Sequence, residues 1–389
     1  SDIFTRGVED TVTKNELIKL LASKKQIRIK LGIDATSTDL HIGHACSLWK
    51  IRALQEYGHK AVIILGEFTT RIGDPTDKST TRPILPPETI KKNIASLRRQ
   101  IEHILLTGKN VYEMRTNLEW FGKMKTEEFL KLCTMVTHGR LIGRDMFQER
   151  IKAGKEITIA EMLYPILQGY DSVMIKSNLA IFGSDQLFNE HMGRFFQDRF
   201  GQEPQILMSL KIVPGLDGGA KMSKSLGNYI GLNDTPEDKF GKAMRLLDLL
   251  IIPYLEVYTD MPMEQIRRIE RELNGGMNPR DAKLIFAEAL VERYHGEAAA
   301  LKAREQFRAV FSNKELPENI KEFVVHSDNP VEVLVEAGFA GSKAEARRLL
   351  KQGGVRVDEK RINEIAKLAR TDGIILRVGK RKIGRLRFT

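Results

Sequence analysis

Cysteine, long apolar runs and repeats are what this 389-residue sequence has least of. Only Cys46 and Cys133 occur, far apart and without CxxC spacing, which excludes a disulfide framework and a structural zinc site of the usual ligand spacing. No apolar stretch approaches membrane-spanning length, so no membrane partner is expected. The start SDIFTRGVEDTVTKNELIKLL lacks the short apolar segment of a secretory signal, and a cytoplasmic address is the expectation. Internal repeats and low-complexity tracts are missing too. What is present is material for real cores: 42% of residues are hydrophobic, in a chain long enough for two or three domains. The net charge of +11 is unevenly placed, because residues 331–389 hold 15 Lys+Arg against 7 Asp+Glu, or +8 of it.

The stretch IRIKLGID, Ile27 to Asp34, alternates bulky apolar with other residues and predicts a strand that ends in a functional turn. Ala45, Leu48, Ile51 and Leu54 then recur on one helical face before Gly58, and AVIILG, Ala61 to Gly66, reads as a second, buried strand. That is a βαβ unit. NLAIFGSDQ and PQILMSLKIVPG look like later strands, with the helical ITIAEMLYPILQGYDSVMI before them, so residues 1–227 suit a Rossmann-like parallel sheet with helices on both faces. Charged amphipathic segments such as MEQIRRIERELNGG predict an α-helical domain over 228–326, reaching about Phe323. After a polar connector at HSDNP, residues 327–389 read as a small α+β domain. Its signals are a capping box at SKAE, a basic helix in ARRLLKQGG and two hairpin-like stretches, VRVDEKRI and IILRVGKRKIGRLRF.

Two motifs carry chemistry. In GGAKMSKSLGN, Gly218 to Asn228, Lys221 and Lys224 stand among glycines that free the backbone to move, an arrangement suited to a polyanion that comes and goes. In DLHIGHACSLW, His41 and His44 lie about one turn apart at a helix N-terminus, where backbone N–H groups and the macrodipole favour phosphate, and Gly43 permits close approach of a flat ligand. Taken singly, each has an ordinary explanation as a solvated loop or a polar cap. Together, HIGH after the first strand and KMSKS far downstream resemble the class I aminoacyl-tRNA synthetases. GIDATSTDLHIGH, GEFTTRIGDPTDKSTTRP, YPILQGYDS, FGSDQLFNE and IVPGLDGGAKMSKSLGNYI follow the order and spacing of the bacterial tyrosyl-tRNA synthetases, in the branch with KLG rather than YCG before the first Asp. The basic C-terminal unit resembles the small RNA-binding domain of those enzymes, and the resemblance covers nearly the whole chain. Three positions depart from the common pattern: Ala35 stands for Pro, Asp77 for Gly, and Phe182 for a Gly beside the adenylate motif.

The resemblance implies ATP-dependent activation of L-tyrosine followed by transfer to tRNA(Tyr), by a homodimer joined through about residues 119–155. ATP with Mg²⁺ enters as a substrate complex, and no resident protein metal is expected. Thr36, His41 and His44 would bind the phosphates, Lys221 and Lys224 would close over them, and Lys78 and Arg82 would neutralise departing pyrophosphate. Asp34, Gly183 and Asp185 would surround the ribose, Gly43 would lie under the adenine, and Gln186 by the aminoacyl carboxylate. Asp74, Tyr164 and Gln168 match the α-ammonium site and Asp171 the phenol site. Tyr164, Gln168 and Asp171 project from one side of a helix. Lys30 takes the place of a Tyr that reaches the same hydroxyl in the other branch. Lys343, Arg347, Arg348, Lys351, Lys380, Arg381 and Lys382 form the expected RNA-binding surface. Two alternatives stay open: a tryptophanyl-tRNA synthetase-like enzyme, and a synthetase-derived RNA-binding protein without activity.

Overall fold

The computed structural model describes residues 2–75, 85–219, 221–223, 226–312, 320–358, 360–362, 367–379 and 382–389. Two compact units account for them, Ser1–Ala300 and Leu301–Thr389. In the first, six strands form one sheet: β1 (Val8–Val12), β2 (Arg28–Asp34), β3 (Lys60–Gly66), β4 (Tyr112–Thr116), β5 (Leu179–Gly183) and β6 (Ile206–Leu210). Their spatial order is β1-β6-β5-β2-β3-β4, parallel throughout except for β1, which runs antiparallel to β6 at one edge. In β3 every residue from Ala61 to Gly66 is buried, as a central parallel strand with both faces covered requires.

The expected βαβ unit is present. β2 pairs with β3 from Arg28↔Lys60 to Asp34↔Gly66, and the intervening helix Ile42–Gln55 buries Ala45, Leu48, Ile51 and Leu54 against the sheet. The chain runs outward from β2 through β3 to β4, then returns to the other side of β2 to build β5 and β6. Such a reversal opens a crevice at the carboxyl ends of the two diverging strands. Here β2 and β5 pair at Ile29↔Leu179 and Lys30↔Ala180, while β2–β3 and β5–β6 stay paired out to Asp34 and Gly183. Lys30 therefore sits at the fork where the crevice begins. Phe182 is buried against Ala180 and Leu207, with Val12 and Leu187 packed alongside, so its ring belongs to the core under β5.

Two helices flank the fork. Ile159–Ile175 starts at a complete capping box, in which Thr158 and Glu161 satisfy each other's backbone amides. Leu187–Arg199 lies directly against it, and glycine makes that approach possible: a Cβ on Gly169 would meet the Met192 backbone at 2.8 Å, and one on Gly193 would meet Ser172 Oγ at 2.6 Å. Beyond the sheet, helices Pro236–Ala243, Ile251–Tyr258, Met263–Asn274 and Pro279–His295 pack within the same unit. Arg6 joins the N-terminal segment to them by donating to the carbonyls of Leu255, Glu256, Thr259 and Met261, which leaves a cation at the end of helix Ile251–Tyr258.

The second unit has its own sheet, in the order β7 (Glu322–Val325), β11 (Lys382–Phe388), β10 (Ile375–Val378), β8 (Val355–Val357), β9 (Lys360–Arg361). Both expected hairpins are present, β8–β9 and β10–β11. EFVV falls at the end of the segment 228–326 expected to be α-helical and is instead the parallel edge strand β7 on β11, because pairing with β11 fixes it as a strand. Helices Pro330–Glu336 and Lys343–Lys351 cover a core of Val333, Leu334, Ala346, Leu350, Val355, Leu376 and Leu386. Ser342 caps the second helix by accepting from Glu345 N–H, while the Glu345 carboxylate reaches the amide of Gly341 rather than that of the cap residue.

Candidate active site

The crevice gathers the residues that the motifs single out. On the side of β2, Asp34 accepts hydrogen bonds from Thr69 Oγ1 at 2.7 Å and from the Tyr164 hydroxyl at 3.0 Å. The turn after it, which contains Thr36, is pinned from outside. Ala35 N–H donates to Thr70 Oγ1 at 2.8 Å, Asn93 donates to the Ala35 carbonyl at 2.7 Å, and Gln100 bonds both Thr38 O and Leu40 N–H. A proline at position 35 would have no N–H for Thr70. The departure at Ala35 is thus matched by a local partner.

His41 and His44 follow at the N-terminus of helix Ile42–Gln55, with ring centroids 3.8 Å apart. The His41 amide donates to His44 Nδ1 at 3.3 Å, which puts the proton of a neutral His44 ring on Nε2. Gly43 leaves room for the first histidine, since a Cβ there would stand 2.9 Å from His41 Nδ1. Backbone bonds from Ile42 to Ile230 and from Leu232 to Leu40 tie this motif to the stem of the lysine loop. Asn228 ties the loop to itself, accepting from Ser223 N–H at 2.8 Å and donating to Asp217 at 3.1 Å. Lys221 pairs with Asp185 at 2.7 Å and stays exposed, so the lysine loop and the FGSDQ turn meet across the crevice. Gly183 lies against Asp185, where a Cβ would come within 2.9 Å of its carboxylate. Lys78, Arg82 and Lys224, expected on the phosphates, lie outside the described residues, as does Asp77.

The other side of the crevice is drier. Gln186 donates to Asp74 at 2.8 Å and accepts from Asn189 at 2.9 Å. Tyr164 is buried, and burial together with Asp34 and Asp74 raises its hydroxyl well above the usual phenol range. Helix Ile159–Ile175 does project Tyr164, Gln168 and Asp171 into one neighbourhood, all three reaching groups of the crevice or its floor. Asp171 is 5% exposed, accepts from Trp120 Nε1 at 2.9 Å and from Asn117 Nδ2 at 3.3 Å, and is pushed up to about 7 by burial, against the pull of Lys30 and those two bonds. Lys30 points inward, yet its ammonium is engaged by Glu190, Ser172 and the Gln168 carbonyl. Arg144, buried beside Phe188, is lowered by burial and raised in part by the charges of Asp74 and Tyr164.

Glu190 closes the motif FGSDQLFNE but was given no role there, and Asn93, Gln100, Asn117, Trp120 and Arg144 escaped the motif reading altogether. Each meets the site through a partner distant in sequence, so local pattern assigns it no role; an Asn and a Trp three apart in NLEW were the nearest thing to a signal outside the quoted motifs. In the second unit, Arg347, Arg348 and Lys351 are exposed on the helix Lys343–Lys351, whereas Lys343 pairs with Glu332 and Lys382 donates to the Phe339 carbonyl. Lys380 and Arg381 lie outside the described residues.

The chain is similar to known proteins over nearly its whole length. Residues 22–312 match the family of class I tRNA synthetases (W and Y), and residues 331–372 match the S4 domain. A tyrosine–tRNA ligase of Thermotoga maritima is 44% identical over 387 residues, covering 99% of this chain and 96% of that protein. One from Moorella thermoacetica is 41% identical over 392 residues, covering 99% and 94%. In fold, the chain resembles a truncated mitochondrial tyrosyl-tRNA synthetase of Aspergillus nidulans, with a TM-score of 0.65 at 23% identity, over 78% of this chain and 91% of that one. A tyrosyl-tRNA synthetase of Archaeoglobus fulgidus crystallised with L-tyrosine gives 0.61 at 20% identity, over 78% and 98%. With a family model matched over most of its length and relatives matched from end to end, the chain belongs to the class I tyrosyl-tRNA synthetases of bacterial type, with an S4 domain at its C-terminal end.

Proposed function

We infer that the chain is a tyrosine–tRNA ligase. The carboxylate of L-tyrosine attacks the α-phosphorus of ATP, the bond to the β-phosphate breaks, and pyrophosphate leaves with its electron pair. The terminal ribose hydroxyl of tRNA(Tyr) then attacks the carbonyl of tyrosyl-adenylate, loses its proton and expels AMP. The single observation that carries this reading is the buried Asp171, an acceptor held by Trp120 and Asn117 at the closed end of a crevice whose open end bears HIGH and Lys221. A carboxylate so placed suits the phenol hydroxyl, and the site would then reject phenylalanine because the acceptor would stay unpaired.

No protein nucleophile is needed. Catalysis rests on positioning and on cations arriving where negative charge develops. In this reading His41, His44 and Thr36 bind the phosphates, and Lys221 leaves Asp185 to follow the charge on the departing pyrophosphate. Lys224, Lys78 and Arg82 share that task, and Mg²⁺ enters with ATP as part of the substrate. Asp34, Gly183 and Asp185 bind the ribose, Gly43 lies under the adenine, and Gln186 sits by the aminoacyl carboxylate. Asp74, Tyr164 and Gln168 hold the α-ammonium. The buried Gln168 Oε1 has no hydrogen-bond partner among the described residues, which suits an acceptor awaiting a substrate donor.

The S4 domain would bind tRNA phosphates through Arg347, Arg348 and Lys351. A second copy would cover the exposed Leu130 and Ile151 of the 119–155 segment, giving a homodimer. None of the helices in the described residues is long and apolar enough to cross a membrane. Tyrosine-dependent exchange of pyrophosphate into ATP tests the reading. Exchange driven by tyrosine supports it, exchange driven by tryptophan instead would install the sister activity, and no exchange with either would leave an RNA-binding protein.

A further inference from the structure

A buried ion pair lies beneath the amino-acid pocket and takes no part in the roles assigned above. Lys30 is 1% exposed and Glu190 3%, and their charged groups meet at 2.9 and 3.0 Å. Lys30 also donates to Ser172 Oγ at 2.8 Å and to the Gln168 carbonyl at 3.2 Å, so its three hydrogens are engaged below the pocket. Glu190 receives two further donors, Gln168 Nε2 at 2.9 Å and Gln205 Nε2 at 2.9 Å. The Gln168 carboxamide is therefore gripped at its nitrogen by a carboxylate, and its oxygen is left buried without a partner among the described residues.

A carboxamide can rotate by half a turn and exchange its donor and acceptor ends within nearly the same shape. A carboxylate beside an ammonium accepts hydrogen bonds, so only the NH₂ end of Gln168 fits against Glu190. Lys30 holds Glu190 in place, and Gly169 and Gly193 let the two helices approach closely enough for the contact. We propose that Glu190, held by Lys30, is a positioning residue of the amino-acid site: it fixes Gln168 with its carbonyl oxygen toward the substrate α-ammonium and keeps the Lys30 ammonium away from the phenol. The inference rests on Gln168 being an α-ammonium acceptor. It assigns Lys30 an indirect role, at the position where its sequence context suggested a direct one.

The test uses the full chain, pyrophosphate exchange with L-tyrosine, and competitive inhibition by 3-(4-hydroxyphenyl)propanoate, which keeps the phenol and carboxylate but lacks the amine. In Glu190→Gln the carboxamide of Gln168 is free to adopt either orientation. KM for tyrosine should rise about tenfold, the scale of one lost hydrogen bond to a charged group. The kcat, the KM for ATP and the inhibition constant of the amine-free acid should change less than about twofold, within the scatter expected of independent sites. The double variant Lys30→Met/Glu190→Leu replaces the pair by apolar groups, which folded cores commonly accept; it should show the same split and so separates positioning from folding. In a Gln168→Ala background, Glu190→Gln should add nothing. An unchanged KM for tyrosine, or equal weakening of tyrosine and the amine-free acid, overturns the proposal. If Gln168→Ala itself leaves the preference for tyrosine over the amine-free acid intact, the α-ammonium reading of Gln168 fails and the proposal falls with it. If Gln168→Ala abolishes that preference and the Glu190 variants do not, the positioning proposal alone fails.

Discussion

The two sides of the crevice are built on opposite principles. On the side of HIGH and the lysine loop, the groups are exposed or half-buried, on glycine-bearing turns: His44 and Lys221 reach solvent, and Lys221 pairs with the carboxylate of Asp185, which a ligand can replace. On the side of YPILQGYD, Asp171, Tyr164 and the Lys30–Glu190 pair are buried and bonded to partners from several elements. Recognition of one hydroxyl and one ammonium demands desolvated, fixed partners, because an unpaired polar group is costly only where water cannot replace the missing bond. Stabilising charge that appears and departs within one turnover demands cations that can move.

Breaking that contrast on the nucleotide side should have the largest effect. Lys221→Ala should slow adenylate formation by about 10²- to 10³-fold, the scale of a lost electrostatic stabiliser, with little change in tyrosine affinity. Pre-steady-state measurement of the activation step decides it, and a loss confined to tyrosine binding would place Lys221 in the wrong half. On the amino-acid side, Asp171→Ala should cut kcat/KM for tyrosine by about a hundredfold while phenylalanine is affected far less. Exchange assays with both amino acids measure the ratio.

The acid–base behaviour of Asp171 sharpens the contrast without a mutation. Burial raises its carboxyl from 3.8 to about 7, so the folded state prefers it protonated. Its contribution to stability is full below the unfolded carboxyl range and is lost as pH climbs to about 7. In the role proposed for Asp171 function runs the other way, because the ionised carboxylate is the better acceptor for a phenol. Tyrosine kcat/KM should fall by up to about tenfold per unit as pH drops below 7, and the KM for ATP should not follow that limb. Exposed cations of the S4 domain should behave like Lys221 in acting through charge. Arg347→Ala with Arg348→Ala should lower tRNA affinity several-fold and reduce the salt slope by about one for each phosphate contact removed, leaving adenylate formation intact. The smallest effect is structural: Ala35→Pro removes the N–H that Thr70 accepts and should lower stability by about 1 kcal/mol, seen as a shift in thermal midpoint.

By itself the sequence determined the βαβ start, the helix that carries YPILQGYD, both C-terminal hairpins and the family, because periodicity and motif spacing are local and survive as a string. It did not reveal β1, β4 or β7: VEDTV, YEMRT and EFVV carry charge in short strands at or near sheet edges, and pairing with strands far along the chain makes them strands. Phe182 looked like an intrusion beside the adenylate because only its neighbours in sequence were visible; packing on Ala180 and Leu207 puts it in the core. Lys30 was legible as a substitution but not in its role. A buried ammonium takes its meaning from what surrounds it, and Glu190 stands 160 residues away, brought under β2 by two glycines that let two helices touch. Which groups share a desolvated volume is a property of tertiary packing, and low dielectric gives their charges and hydrogen bonds the strength on which recognition depends.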